Sequence, residues 1–141
     1  MKISDILHHK GGDIVTVTPE TTVRELVTVL AEHNIGAVVV SADGERLDGI
    51  VSERDIVRNL VTLEPLSGRP VSDIMTADVH TCRPEAEVDS LRTQMTERRI
   101  RHVPVTDGER LVGIVSIGDV VKSSIGQLQF ERDQLSNYLN Q

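Results

Sequence analysis

Aromatic residues are almost missing from this chain. In 141 residues there is no Trp, one Phe and one Tyr. Both rings, Phe130 and Tyr138, fall near the C-terminal end, so no Phe, Tyr or Trp ring in the body of the chain can stack on a ligand. The single cysteine, Cys82, excludes an intramolecular disulfide and any thiolate metal cluster. The apolar runs, such as 37–40, fall far short of the length needed to span a bilayer. Positive charge is in deficit: 15 Lys+Arg against 22 Asp+Glu give a formal charge of −7, which argues against nucleic acid as the main partner. The N-terminus carries Asp5 where a secretion signal needs an apolar run, and the expected location is cytoplasmic.

The chain repeats itself. Residues 44–52 read Gly-Glu-Arg-Leu-Asp-Gly-Ile-Val-Ser, and residues 108–116 read Gly-Glu-Arg-Leu-Val-Gly-Ile-Val-Ser. An aspartate follows three residues after each serine, as Asp55 and Asp119. Ser4-Asp5-Ile6-Leu7 pairs with Ser72-Asp73-Ile74-Met75, and Val38-Val39-Val40 with Val103-Pro104-Val105. Two copies of about sixty residues therefore precede the tail. The division is residues 1–66, 67–125 and a helical tail at 126–141. The first copy carries a longer early loop at 8–12, which includes His8 and His9.

Each copy predicts strand, helix, strand, strand, helix. The first strand is 14–17 or 79–82, the latter containing Cys82 as a buried small residue. The first helix carries Val23, Leu26, Val27 and Leu30 at helical spacing, opened by a Thr22–Glu25 capping box. Its second-copy stripe is Val88, Leu91 and Met95. Strands at 37–40 and 102–105 follow, then turns at Asp43-Gly44 and Asp107-Gly108 that favour a tight hairpin. Strands at 49–51 and 113–115 lead into helices that start at Ser52 and Ser116. The prolines and glycine of 63–70 mark the connector. The fold class is α/β (α+β). A sixty-residue unit buries too little surface alone, so the two copies are expected to pack about a pseudo-two-fold axis that creates two clefts.

Ser-x-x-Asp at a strand-to-helix junction is first of all a capping pattern. The same geometry suits a nucleotide: a helix start favours a phosphate, and a carboxylate one turn in accepts hydrogen bonds from vicinal ribose hydroxyls. With Gly-Ile-Val-Ser-x-x-Asp closing both copies and Arg-His-Val-Pro-Val in the second, residues 1–125 resemble a pair of cystathionine β-synthase (CBS) domains, a Bateman module. The resemblance implies a regulatory sensor that binds an adenosine ligand (AMP, ATP, NAD(H) or S-adenosylmethionine) between its repeats. It requires no cofactor and carries out no catalysis.

Carried onto this chain, the resemblance implies two pockets. One takes Ile114, Ser116, Gly118 and Asp119 from the second copy with Ile14, Val15, Ile35, Gly36 and Ala37 from the first. The other takes Ile50, Ser52, Arg54 and Asp55 from the first copy with Thr76, Val79, His80, Ile100, Arg101 and His102 from the second. Arg101 and His102 are the expected phosphate ligands. Arg98 and Arg99 complete the basic cluster but also fit a solvated helix end. Gly36-Ala37 occupies the matching place in the first copy, so the pockets should differ in charge. The tail suggests either a helix packed on its own domain or a clasp in the homodimer that such pairs commonly form. The alternative is a nucleic-acid-binding or enzyme-regulating adaptor whose clefts are purely structural. No membrane role and no metal site are expected, because no His/Cys/carboxylate spacing suggests zinc.

Overall fold

A computed structural model describes residues 1–11 and 14–140. The elements run α1 (Ile3–Lys10), β1 (Thr16–Val17), α2 (Val23–His33), β2 (Ala37–Val40), β3 (Gly49–Ser52), α3 (Glu53–Asn59), a 3-10 turn (Val71–Asp73), α4 (Val88–Arg98), β4 (His102–Asp107), β5 (Arg110–Ser116) and α5 (Ile117–Leu139). In the first sheet β1 runs parallel to β2, and β2 pairs antiparallel with β3, Val38 opposite Val51. The second sheet is the antiparallel pair β4–β5, Val103 opposite Val115. The two repeats expected from the sequence are present.

The copies are not equally regular, and Pro104 supplies one reason. The first copy forms β1 beside Val39 and Val40. In the second copy the expected strand at 79–82 shrinks to a single parallel bridge, Cys82 to Val105. Cys82 N–H still donates to Pro104 O (3.1 Å) and Thr106 N–H to Cys82 O (2.9 Å). The bond that would continue the ladder needs an N–H from residue 104, and proline has none. The first turn also differs from expectation. Only the second copy makes a tight hairpin, through Gly108 at φ 63°. In the first, residues 41–48 form a longer loop in which Asp43 Oδ1 accepts from the N–H groups of Glu45 and Arg46 (2.9 and 2.8 Å).

Two cores form, and each recruits a segment from the other half of the chain. Val17, Leu26, Leu30, Val38, Val40 and Val51 pack with Val71 and Ile74 from the 3-10 turn. Leu91, Met95, Val103, Val105, Val115 and Val120 pack with Ile3 and Ile6 of α1. Full burial of one such isoleucine stabilises by about 2 kcal/mol. Thus the twin segments 4–7 and 72–75 cross over: each opens one repeat and closes the core of the other. Twin glycines receive them. A Cβ on Gly113 would sit 2.6 Å from Leu7 Cδ2, and one on Gly49 would sit 2.7 Å from Met75 Sδ.

The helix predicted from the Val23 stripe is present and buries Val23, Leu26 and Leu30, while Val27 is exposed. Thr22 Oγ1 accepts from Glu25 N–H (3.1 Å) and caps it. His8 and His9 lie on α1 rather than in a loop, because Ile3 and Ile6 give that segment a buried helical face. The expected loop's residue 12 is outside the described residues. α5 packs near its start through Val120. Its later apolar side chains, Ile125, Leu128, Phe130, Leu135, Tyr138 and Leu139, are all exposed. The tail walls a groove with α1 as far as Phe130 and leaves its apolar side chains beyond that point exposed.

Candidate functional site

Both strand-to-helix junctions form the expected capping box. Ser52 Oγ accepts from Asp55 N–H (3.4 Å), and Ser52 N–H donates to Asp55 Oδ2 (2.8 Å). Ser116 Oγ accepts from Asp119 N–H (3.1 Å), and Ser116 N–H donates to Asp119 Oδ2 (2.9 Å). Among the described residues no hydrogen bond reaches Oδ1 of either aspartate, although neither side chain is fully exposed. Each carboxylate thus caps its helix with one oxygen and keeps the other available.

A cavity lies beside each junction. The first, of about 510 Å³, gathers Ile114, Ser116 and Asp119 with Ile14, Val15, Ile35, Gly36 and Ala37. Gly118 lies outside it. The second, of about 580 Å³, gathers Ile50, Ser52, Arg54 and Asp55 with Thr76, Ile100, Arg101 and His102. Gly118 lines this one instead. Val79 and His80 line neither. The second copy forms no strand there to aim them inward, and His80 Nε2 is paired with Gln94 Oε1 of α4 (2.7 Å). Both volumes fall within the roughly 300–1,000 Å³ usual for small-molecule pockets.

Sequence reasoning missed two participants, Arg58 and Lys10, and left Arg99 between a site role and a solvated helix end. Arg58 and Arg99 line the second cavity. Their spacing to Arg54 and Arg101 was visible, but only the packed repeats bring the two pairs to one opening. Lys10 lines the first. Its ammonium donates to Ile114 O and to Asp119 Oδ2, both at 2.9 Å. At the equivalent place in the second cavity the Thr76 N–H donates to Ile50 O (2.9 Å). A side-chain cation thus replaces a backbone amide, because α1 continues to Lys10 where its twin ends as a 3-10 turn. Burial pushes the Asp119 carboxyl up, but the Ser116 N–H and the Lys10 ammonium outweigh it and hold the group below the usual carboxylate range.

The two cavities share a wall of Gly36, Ala37, His102 and Ser116. A Cβ on Gly36 would lie 3.8 Å from both His102 Cε1 and Glu53 Oε2, an ordinary contact distance. Burial lowers the His102 pKa below its ordinary value, against the pull of Asp119 and with the push of Lys10 and Arg101. Neutral His102 therefore contributes stability that is complete above about pH 6.5 and is lost as pH falls through its folded pKa. Melting temperature should rise from pH 5 to pH 7, and His102→Gln should flatten that rise. An equal slope in the variant would assign it to other groups. Cys82 takes no part: burial pushes its thiol up to about 11, which leaves it protonated and unreactive at neutral pH. Among the described residues no cluster of His, Cys, Asp and Glu suits a metal ion. No helix among the described residues is long and apolar enough to cross a membrane.

Comparison with known proteins agrees with this geometry. A family model described as CBS domain matches residues 3–62 and again residues 71–126. The mitochondrial CBS domain-containing protein CBSX3 of Arabidopsis thaliana is 37% identical across 97% of this chain and 71% of its own length. A crystal structure of a CBS-domain containing protein from Agrobacterium tumefaciens superimposes with a TM-score of 0.81 at 40% identity, covering 88% of this chain and 99% of that one. A CBS domain protein from Pyrobaculum aerophilum, complexed with AMP, superimposes with a TM-score of 0.74 at 30% identity, covering 84% of this chain and 89% of that one.

Proposed function

This chain belongs to the CBS-domain family, and from that premise we propose that it is a non-catalytic sensor whose two inter-repeat cavities bind adenosine ligands. The observation that carries this reading is the free carboxylate oxygen of Asp55 and of Asp119, each beside a cavity walled by the opposite repeat. A ribose presents two vicinal hydroxyls, and a carboxylate accepts from both. Aliphatic walls take the base: Ile14, Ile35 and Ile114 in one cavity, Ile50 and Ile100 in the other. Each well-buried contact is worth about 1.5–3 kcal/mol at most, and a micromolar ligand needs about 8 kcal/mol after association costs. The AMP carried by the Pyrobaculum relative supports the ligand class. AMP and ATP are the first candidates for this chain, with NAD(H) and S-adenosylmethionine next.

A dye-melting screen with these compounds tests the reading. A ligand at a hundredfold excess over its dissociation constant adds about 2.7 kcal/mol to the native state. A raised melting temperature with at least one of them is expected. No shift with any, on protein stripped by denaturation and refolding, would refute the reading.

The tail supports a homodimer. Val121, Ile125, Leu128, Leu135 and Leu139 recur at spacings of three and four along α5, with Arg132 in the gap, and all five are exposed. That spacing would suit a two-helix seam, although the charged residue breaks the stripe too early for a regular coiled coil. Chain shortened to end at Gly126 should shift toward monomer in light scattering. An unchanged mass would remove α5 from the interface.

A further inference from the structure

We propose that the two cavities are specialised by charge: the one beside Asp55 takes an adenosine ligand carrying a polyphosphate, and the one beside Asp119 takes an adenosine ligand of low charge. This rests on the nucleoside-binding reading above and names the ligand class at each opening.

Four guanidinium groups line the cavity beside Asp55: Arg54 and Arg58 from α3, Arg99 and Arg101 from the segment between α4 and β4. Among the described residues none of the four is in an ion pair. The two carboxylates at the same opening are Glu53 and Asp55, and Asp55 is engaged in its cap. A chain of net charge −7 has thus gathered four unpaired cations at one mouth. Arg54 and Arg58 are one helical turn apart, a spacing at which like charges repel. Arg99 ends α4 at φ 56°, a conformation that favours glycine or asparagine. Such breaches of local preference are the mark of a site kept for its ligand.

The internal repeat supplies the control. The positions equivalent to Arg99 and Arg101 are Asn34 and Gly36, which line the other cavity without charge. The equivalent of Arg54 is Gly118. The equivalent of Arg58 is Lys122, which turns instead toward the groove between α1 and α5. The cation that the cavity beside Asp119 does hold, Lys10, is already paired with that aspartate. One backbone plan therefore carries two different electrostatic linings. Planar guanidinium forks bind successive phosphates in pairs, and a focused positive mouth on an acidic protein favours a multiply charged anion over a neutral nucleoside.

Calorimetric titration with adenosine, AMP and ATP tests this on the full chain. ATP should bind at least about tenfold tighter than adenosine, with a preference that shrinks as salt rises. Arg58→Gln with Arg99→Gln should weaken ATP about tenfold and leave adenosine within about twofold, because the phosphates alone lose partners. Arg58→Lys with Arg99→Lys should recover part of the loss, which a folding defect would not. Equal affinity for ATP and adenosine would overturn the specialisation while leaving the sensor reading intact, and so would an equal loss of both in the double variant. If none of the three compounds binds, the sensor reading falls and this proposal falls with it.

Discussion

Gly49→Ala should destabilise the protein by about 3 kcal/mol, the upper range of an overpacked core site, and Gly113→Ala by clearly less. The repeat makes these two glycines equivalent, yet their neighbours are not. A Cβ at Gly49 meets Met75 Sδ at 2.7 Å and the backbone oxygen of Thr76 at 2.9 Å. That oxygen cannot retreat, because Ile50 N–H donates to it and Thr76 N–H donates back to Ile50 O, both at 2.9 Å. At Gly113 the close atoms all belong to the Leu7 side chain. A leucine can turn to another rotamer, so that site yields at smaller cost. Urea unfolding reads the difference. Equal losses at the two positions would show that the 76–50 bridge gives way as easily as a side chain. Since Ile50 and Thr76 both line the cavity beside Asp55, the loss at Gly49 should be accompanied by weaker binding there.

Asp55→Ala should weaken ATP by about 30-fold, which is the loss of charge-assisted hydrogen bonds to the ribose. This contrasts with the arginine variants, which act through the phosphates. A 2′,3′-dideoxy form of the ligand lacks both hydroxyls, so Asp55→Ala should not weaken its binding further. That comparison separates a ribose contact from a collapse of α3. The substitution also removes half of a capping box, a cost of about 1 kcal/mol. α3 buries none of its residues, so the damage stays at the helix end. If the dideoxy ligand loses as much as the natural one, the carboxylate is a cap only.

The repeat by itself determined a good deal. Two copies of Gly-Ile-Val-Ser-x-x-Asp place a capped helix start at the end of a strand twice over. The hydrogen bonds involved reach three residues along the chain, and local periodicity decides them. Cys82 reads as buried within a strand and is only half-buried at a single bridge, whereas the lack of Phe, Tyr or Trp in the repeats is legible from composition alone.

What only the tertiary structure decided is which residues cross between the halves. Segments 4–7 and 72–75 read as twins, but one became a helix and the other a 3-10 turn, each seated on a core that its own sequence does not announce. The extra length of α1 then carried Lys10 across more than a hundred residues to Asp119. Pro104 removed a strand by withholding one N–H, a loss that matters only once residue 80 lies opposite. Arg58 and Arg99 converged for the same reason. Sequence pattern fixes what each residue can donate, accept or bury. Contacts between distant parts of the chain follow from how two similar cores close on each other, and a small difference in one arm was enough to make the two cavities unlike.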